Sequence, residues 1–485
     1  MAITRAETHF MGIDDEKALA IWPTVCRIDA QSGCVWGFPS HTKYKSRPIM
    51  TTLSDNLVKY RQQTFVTSLQ PIYGEIMNFK ALTLVSIAAL IMSSGASAQE
   101  LEVMHWWTSP GESKAVKVLA DSFNASGGKW VDTAVAGTGV ARKAINTRLM
   151  SGDAPGAAHF NLGLNLQEAA QEGFLTDLSD VAKRENWAAV IPAAVLKSVS
   201  VDGKVYGVPV ALHGASWVWY SPKVLKAAGV PVPKTIDELF ASAEKIKKAG
   251  YLPFAVSSQS WQLNYVYNSL VLGIGGRQAF EQLGRGDGTA YETPTGLKAL
   301  DLLAKIRSYA DPAANNRSWN DTTNLILSDK AAFQFMGDWA KAEFLNAGKK
   351  PGADFGCMLV PGAQNVYVFT GDGFGFTKKV KAETVIAQQK LVSTLMDKKT
   401  EAAFAAAKGS IPVRTDVPVG GLDACAAIGM KVAANGSAVI PNINVTLTGD
   451  QLGAHYDGLA KYWSTPTMNP TEGARNLASV LRAAK

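Results

Sequence analysis

The sequence is poor in the residues that reactive chemistry most often uses. Four cysteines and six histidines are spread over 485 residues. No pair of them has metal-ligand spacing, and the patterns CxxC and HExxH do not occur. The dinucleotide loop GxGxxG, the Walker A loop and the GxSxG nucleophile elbow are missing as well. Gly371-Asp-Gly-Phe-Gly375 carries glycines at the wrong spacing, and Gly284-Arg-Gly-Asp-Gly288 reads as a surface turn. No cofactor, metal or catalytic residue is therefore expected. Basic runs are absent, so nucleic acid has no electrostatic footprint to grip. No apolar run reaches the roughly 20 residues of a membrane span.

One apolar run of 12 residues, Ala81–Met92, has a different meaning. It follows the short basic start Met77-Asn-Phe-Lys80 and precedes Ala96-Ser-Ala98. Basic start, apolar middle and Ala-x-Ala site together form a secretory signal peptide over 77–98. Residues 1–76 show no sustained apolar period and hold Cys26 and Cys34. They read as a disordered extension ahead of a mis-called start, with translation beginning at Met77 and the exported chain at Gln99. Residues 99–485 number 387, enough for two domains of ordinary size. The first 98 residues hold 9 of the 48 basic and 7 of the 41 acidic side chains, which leaves the exported part at +5. Only Cys357 and Cys425 remain there, so one intramolecular pairing is possible: a disulfide in an oxidising compartment, or two free thiols.

The informative stretch is Leu101-Glu-Val-Met-His-Trp-Trp-Thr-Ser-Pro-Gly-Glu112. It reads as a buried strand that stops at two indoles, a Ser-Pro-Gly turn, and a helix from about Ser113 to Phe123. Val116, Leu119, Ala120 and Phe123 share one face of that helix. Adjacent residues of a strand point to opposite sides, so the two indoles are not both expected in one core. Further strands are expected at 130–136, 157–161 and 217–220, with an extended crossing at 205–210. Helices are expected through Arg142, Ile145 and Leu149, over 166–173, and after a capping box of Thr235 with Glu238. The alternation predicts an α/β fold with a mostly parallel sheet covered on both faces.

Polar and aromatic residues then cluster at five places: Ser260-Trp261-Gln262, Trp319-Asn320-Asp321 with Asn324, Met336-Gly-Asp338-Trp339, Thr370-Gly-Asp372 and Lys408-Gly-Ser410. An indole offers an apolar face to the C–H side of a sugar ring. Amide and carboxylate oxygens beside it accept hydroxyl protons. Such a collar suits an uncharged polyhydroxylated ligand. Paired carboxylates also suit a glycosidase or lyase, whose carboxyl separation a sequence does not show.

From about Glu100 onward the chain resembles the substrate-binding proteins of bacterial ABC sugar importers, of the glucose/mannose- and maltose-binding kind. The resemblance rests on His105-Trp-Trp-Thr-Ser with Glu112, Ser318-Trp-Asn-Asp-Thr-Thr-Asn324, Phe335-Met-Gly-Asp-Trp-Ala340, Lys408-Gly-Ser-Ile-Pro-Val-Arg414, and the flanks of Cys357 and Cys425. It implies a two-lobed periplasmic binding fold with the ligand in the cleft and a hinge that closes on it. Lobe 1 is expected to comprise 99–210 plus 336–370, and lobe 2 to comprise 211–335 plus 371–485. Crossings are expected near 208–213, 332–337 and 370–375. The implied ligand set is Trp106, Trp107, Glu112, Asn161, Trp261, Gln262, Asn320, Asp338, Trp339, Asp372, Lys408 and Asn442, with Cys357 and Cys425 as the family's disulfide. Partners implied are a mono- or oligosaccharide and the permease subunits of the inner membrane, met by a monomer in the periplasm. In two places the chain departs from the glucose binders. Asn161 stands where they carry a lysine, and Pro441-Asn442-Ile-Asn444 where they carry a histidine, so the sugar is not expected to be recognised as glucose is.

Overall fold

A computed structural model describes residues 99–315, 317–378, 380–418 and 423–484. The signal segment, the extension before it and the cysteines Cys26 and Cys34 lie outside the described residues. Two main sheets are built from β1 (Gln99–His105), β2 (Gly128–Ala134), β3 (Ala157–Asn161), β4 (Gly207–Gly214), β5 (Trp217–Tyr220), β6 (Leu252–Phe254), β7 (Ala331–Phe335), β8 (Gly356–Leu359), β9 (Tyr367–Phe376) and β10 (Val439–Pro441).

The first sheet runs β10-β9-β3-β1-β2, with β4 also paired to β9. β1 pairs in parallel with β2 and with β3. The crossover helices are α1 (Pro110–Ala125) and α2 (Thr138–Ser151). α1 starts at Pro110 rather than near Ser113. The Ser109 hydroxyl accepts from the Glu112 N–H, the Glu112 carboxylate answers the Ser109 N–H, and proline fits the first turn. Its apolar stripe of Val116, Leu119 and Phe123 is buried as its spacing predicts. At Thr235 the expected box is only half formed. Thr235 accepts from the Glu238 N–H, but the Glu238 carboxylate accepts from Lys234.

The sheet is mixed rather than mostly parallel. β9 runs antiparallel to β3 and to β4. In the second sheet, ordered β8-β5-β7-β6, only β6 and β7 are parallel. Strands that carry the chain out to another lobe and back must run opposite ways, and hydrophobic spacing carries no information on that.

Two hydrophobic cores follow. The first gathers Leu101, Val103, Phe123, Phe160, Val208, Phe374, Phe404 and Val413. The second gathers Trp217, Trp219, Phe254, Leu263, Phe333, Phe344, Phe355, Val368, Cys425 and Leu459. The expected division into lobes is therefore corrected. Segment 336–370 packs in the second core through Met336, Phe344 and Phe355, and Phe374 through Val413 packs in the first. The crossing expected at 332–337 is likewise absent, because Ala332, Phe333, Phe335 and Met336 all sit in the second core. The cores do exchange along β4 and along β9, where crossings are expected at 208–213 and 370–375, and Val413 and Cys425 again belong to different cores. β4 and β9 lie side by side from Phe369↔Gly214 to Gly375↔Gly207, with a register shift between Asp372 and Gly373.

Cys357 on β8 is bonded to Cys425 across 68 residues, at a Cα–Cα distance of 5.8 Å. Cys425 is buried in the second core and Cys357 packs against it, so the disulfide staples that lobe alone.

Candidate functional site

One cavity of about 370 Å³ lies between residues of the two cores. That is at the small end of the roughly 300–1,000 Å³ of small-molecule sites. The first lobe lines it with Trp106, Trp107, Glu112, Arg142, Asn161, Asp372 and Lys408, and the second with Gln259, Trp261, Tyr265, Trp319, Asn320, Trp339, Asn444 and Tyr456. His213 and Thr370, on the paired strands β4 and β9, close its floor.

The first lobe's share is a network of fixed charges. The Glu112 carboxylate accepts from the N–H groups of Thr108 and Ser109 through Oε2, while Oε1 lies 3.2 Å from Lys408 Nζ. Lys408 is the last residue of the helix Lys398–Lys408, which ends because Gly409 takes a left-handed conformation at φ 74°. Its ammonium lies 5.6 Å from the Trp107 ring centroid. Asp372 Oδ1 accepts from Asn161 Nδ2 at 2.9 Å and lies 3.2 Å from His159 Nε2; Oδ2 lies 3.6 Å from His213 Nε2. Burial alone would raise the Asp372 carboxyl, yet the two imidazoles hold it well below the usual carboxylate range. His159 faces the opposite balance. Burial outweighs Asp372 and lowers it to about 4, so it is neutral at pH 7. His213 is raised: burial lowers it, but Asp338 at 2.6 Å and Asp372 favour the charged ring.

Trp106 and Trp107 both line the cavity, and both belong to the first core. The alternation rule fails because β1 ends at His105, before either indole. Trp106 stacks on His159 at 3.5 Å and 17°, so one of its faces is already covered. Trp107 packs against His159, Phe374 and Phe404.

The second lobe contributes rings. Trp339 meets Tyr265 edge-on at 5.1 Å, and Trp261 meets Tyr265 at 6.1 Å. The Trp339 ring lies so close to Gly337 that a Cβ there would stand 2.1 Å from it. Burial keeps the Tyr265 phenol protonated well above its ordinary range, so it remains a donor. Asn444 Nδ2 donates to the Tyr265 oxygen at 3.4 Å, and the Tyr456 hydroxyl donates to Asn444 Oδ1 at 3.5 Å.

Nine of the twelve residues expected in the ligand set face this cavity: Trp106, Trp107, Glu112, Asn161, Trp261, Asn320, Trp339, Asp372 and Lys408. Three do not. Gln262 turns away to donate to Gln259 Oε1 and the Arg317 carbonyl. Asp338 lies behind His213, accepting from its Nδ1 and from the Gly214 N–H at 2.7 Å. Asn442 caps a helical turn by accepting from the Asn444 N–H, and Asn444 takes the place at the cavity. Arg142, His213, Tyr265 and Tyr456 were not expected there. Tyr265 stands one helical turn after Trp261, a spacing that brings both to one face. Arg142, His213 and Tyr456 stand on elements whose meeting only the tertiary fold determines. Among the described residues, no cluster of His, Cys, Asp or Glu could hold a metal ion, and no helix is long and apolar enough to cross a membrane.

Comparison with known proteins bears on the family and the fold. A sugar-binding periplasmic protein of Rhizobium meliloti, described as probable, is 36% identical over 423 residues, covering 84% of this chain and all of the relative. An ABC transporter extracellular-binding protein of Pyrococcus horikoshii is 30% identical over 331 residues, covering 66% of this chain and 73% of the relative. Among solved structures, a chitin oligosaccharide binding protein superposes with a TM-score of 0.70 at 18% identity, covering 80% of this chain and 99% of that one. This likeness shows the two-lobed, maltose-binding-protein-like fold. Residues 107–390 match the family model of the bacterial extracellular solute-binding proteins, and the chain belongs to that family.

Proposed function

We propose that this protein binds a small neutral sugar between its lobes in the periplasm, and that the closed form hands the sugar to the permease of an ABC importer. The observation that carries the reading is one cavity lined from both lobes: the first sets charged hydrogen-bonding groups beside the indoles of Trp106 and Trp107, and the second sets rings beside the amides of Gln259, Asn320 and Asn444. A sugar ring has matching surfaces: hydroxyls at its edge and C–H groups on its faces. Ligand contacts from both walls favour the closed arrangement over the open one. The names of the relatives support sugar as the ligand class and ABC import as the setting. Export would follow from the signal segment 77–98, and the soluble form would act as a monomer.

Turnover is not part of this reading. A glycosidase needs a carboxylic acid that keeps its proton near neutral pH. Of the two carboxylates at the cavity, Asp372 is held ionised, and Glu112 has its oxygens engaged by Lys408 and backbone N–H groups. A thermal-shift screen over mono- and short oligosaccharides tests the proposal, with product analysis on the same mixtures. The expected result is stabilisation by at least one free sugar and no cleavage. Stabilisation by none of them, or release of product, would refute it.

A further inference from the structure

Charged groups at the cavity are nearly all paired. Glu112 faces Lys408, and Asp372 faces His159 and His213. Arg142 is the exception: among the described residues it has no carboxylate within ion-pair distance. One arm of its guanidinium donates to Asn161 Oδ1, which fixes that amide so that Nδ2 points at Asp372. The guanidinium carbon sits 5.9 Å from the Trp106 ring centroid. Its Nε is buried and has no partner. It shares the cavity lining with Tyr456, on the helix Gly449–Ser464 of the second lobe. Arg142 thus stands on α2 of the first lobe, at the cavity, with donors to spare.

We propose that Arg142 is the specificity-determining residue of the cleft. Its planar fork of N–H groups donates to two adjacent hydroxyl oxygens of a neutral sugar. This rests on the reading of the cleft as a sugar site. A guanidinium suits such a pair because its donors are parallel and its charge strengthens each bond. A neutral partner follows because Asp372 also lines the cavity: a sugar carboxylate placed on Arg142 would stand near that carboxylate, whose ion-pair partners are already His159 and His213.

The test is calorimetric titration of the wild type, Arg142→Gln and Arg142→Lys with D-glucose, D-galactose and D-mannose, their 2-, 3- and 4-deoxy derivatives, and the matching uronic acids. Thermal melting checks that each variant is folded. For the best-bound hexose, the wild type should bind one deoxy derivative on the order of 10- to 100-fold more weakly than the parent, the range for a hydrogen bond to a charged donor. Arg142→Gln should weaken the parent by a similar factor and bind that derivative as well as the parent. Arg142→Lys, which keeps charge but not the fork, should fall between. Wild-type affinity in Arg142→Gln overturns the assignment. So does an equal loss for parent and deoxy derivative, which a merely structural role would give, and so does wild-type preference for a uronic acid. If no hexose binds the wild type, this inference fails, while the sugar reading itself stands or falls on the broader thermal-shift screen.

Discussion

The two lobes furnish the cavity in different ways. The first offers side chains already held by one another: Glu112 by Lys408 and a helix cap, Asp372 by Asn161 and two imidazoles. The second offers mostly rings, Trp261, Trp319 and Trp339 among them, tied by neutral hydrogen bonds such as that from Trp261 Nε1 to Gln259 Oε1. A preorganised polar wall costs little further ordering when a ligand arrives, and so discriminates among hydroxyl patterns. A ring wall adds area and tolerates different sugars. Substitutions in the first lobe should therefore act on folding and selection together, and those in the second mainly on affinity.

The largest expected effect would break the first wall. Asp372→Ala removes the acceptor of Asn161 Nδ2 and the carboxylate facing the buried imidazoles of His159 and His213. It should lower unfolding free energy by about 3–5 kcal/mol, the scale for removing one member of a buried ion pair, and abolish sugar binding; denaturant titration and calorimetry check both. Trp107→Ala empties space in the first core and should cost about 3–5 kcal/mol of stability as well. Next in size is reduction of Cys357–Cys425. For a closed loop of 68 residues it should remove about 4 kcal/mol on the chain-entropy model. Because both sulfurs sit in the second lobe, hydrogen exchange should report loosening there and not around β1.

Trp261→Ala sharpens the contrast from the other side. It should weaken sugar binding by about 1–3 kcal/mol, the scale of burying an aromatic contact, with a much smaller change in melting temperature. A larger loss of stability than of affinity would erase the distinction between the walls. The smallest effect concerns mild acid. His159 is lowered to about 4 and His455 to about 3, both by burial. The unfolded chain binds those protons from about pH 6.5 downward while the folded one does not. Glu401, raised to about 7 by burial, acts the other way as pH falls from about 7 to 4.5, so the two histidines should leave a net fall in stability as pH drops from about 6.5 to 4. Asp372, whose carboxyl is depressed, adds no loss until pH falls below the ordinary carboxylate range. Denaturation midpoints at pH 7, 5.5 and 4 measure this slope, and equal midpoints would contradict it.

Much of the cavity was legible because its residues sit beside local signals. Trp106 and Glu112 flank a strand end and a helix start, Lys408 precedes a helix-ending glycine, and Asp372 lies in a glycine-rich strand. What escaped was orientation. Gln262 and Asp338 stand within clusters that do reach the cavity through Trp261 and Trp339, but their own side chains turn to Gln259 and to His213. Periodicity assigns a face and not a hydrogen-bond partner. The lobe assignment failed for a related reason. The crossing near 370–375 falls on β9 as expected, but which core each flank joins depends on long-range pairing, and both flanks are equally apolar in sequence.

The register shift between Asp372 and Gly373 falls within the pairing of β9 with β4. The irregular step in the ribbon that joins the cores and one of the two carboxylates lining the cavity thus belong to a single residue. On the proposed reading, a sugar hydroxyl held by that carboxylate would bear directly on the ribbon, with no relay of intervening residues.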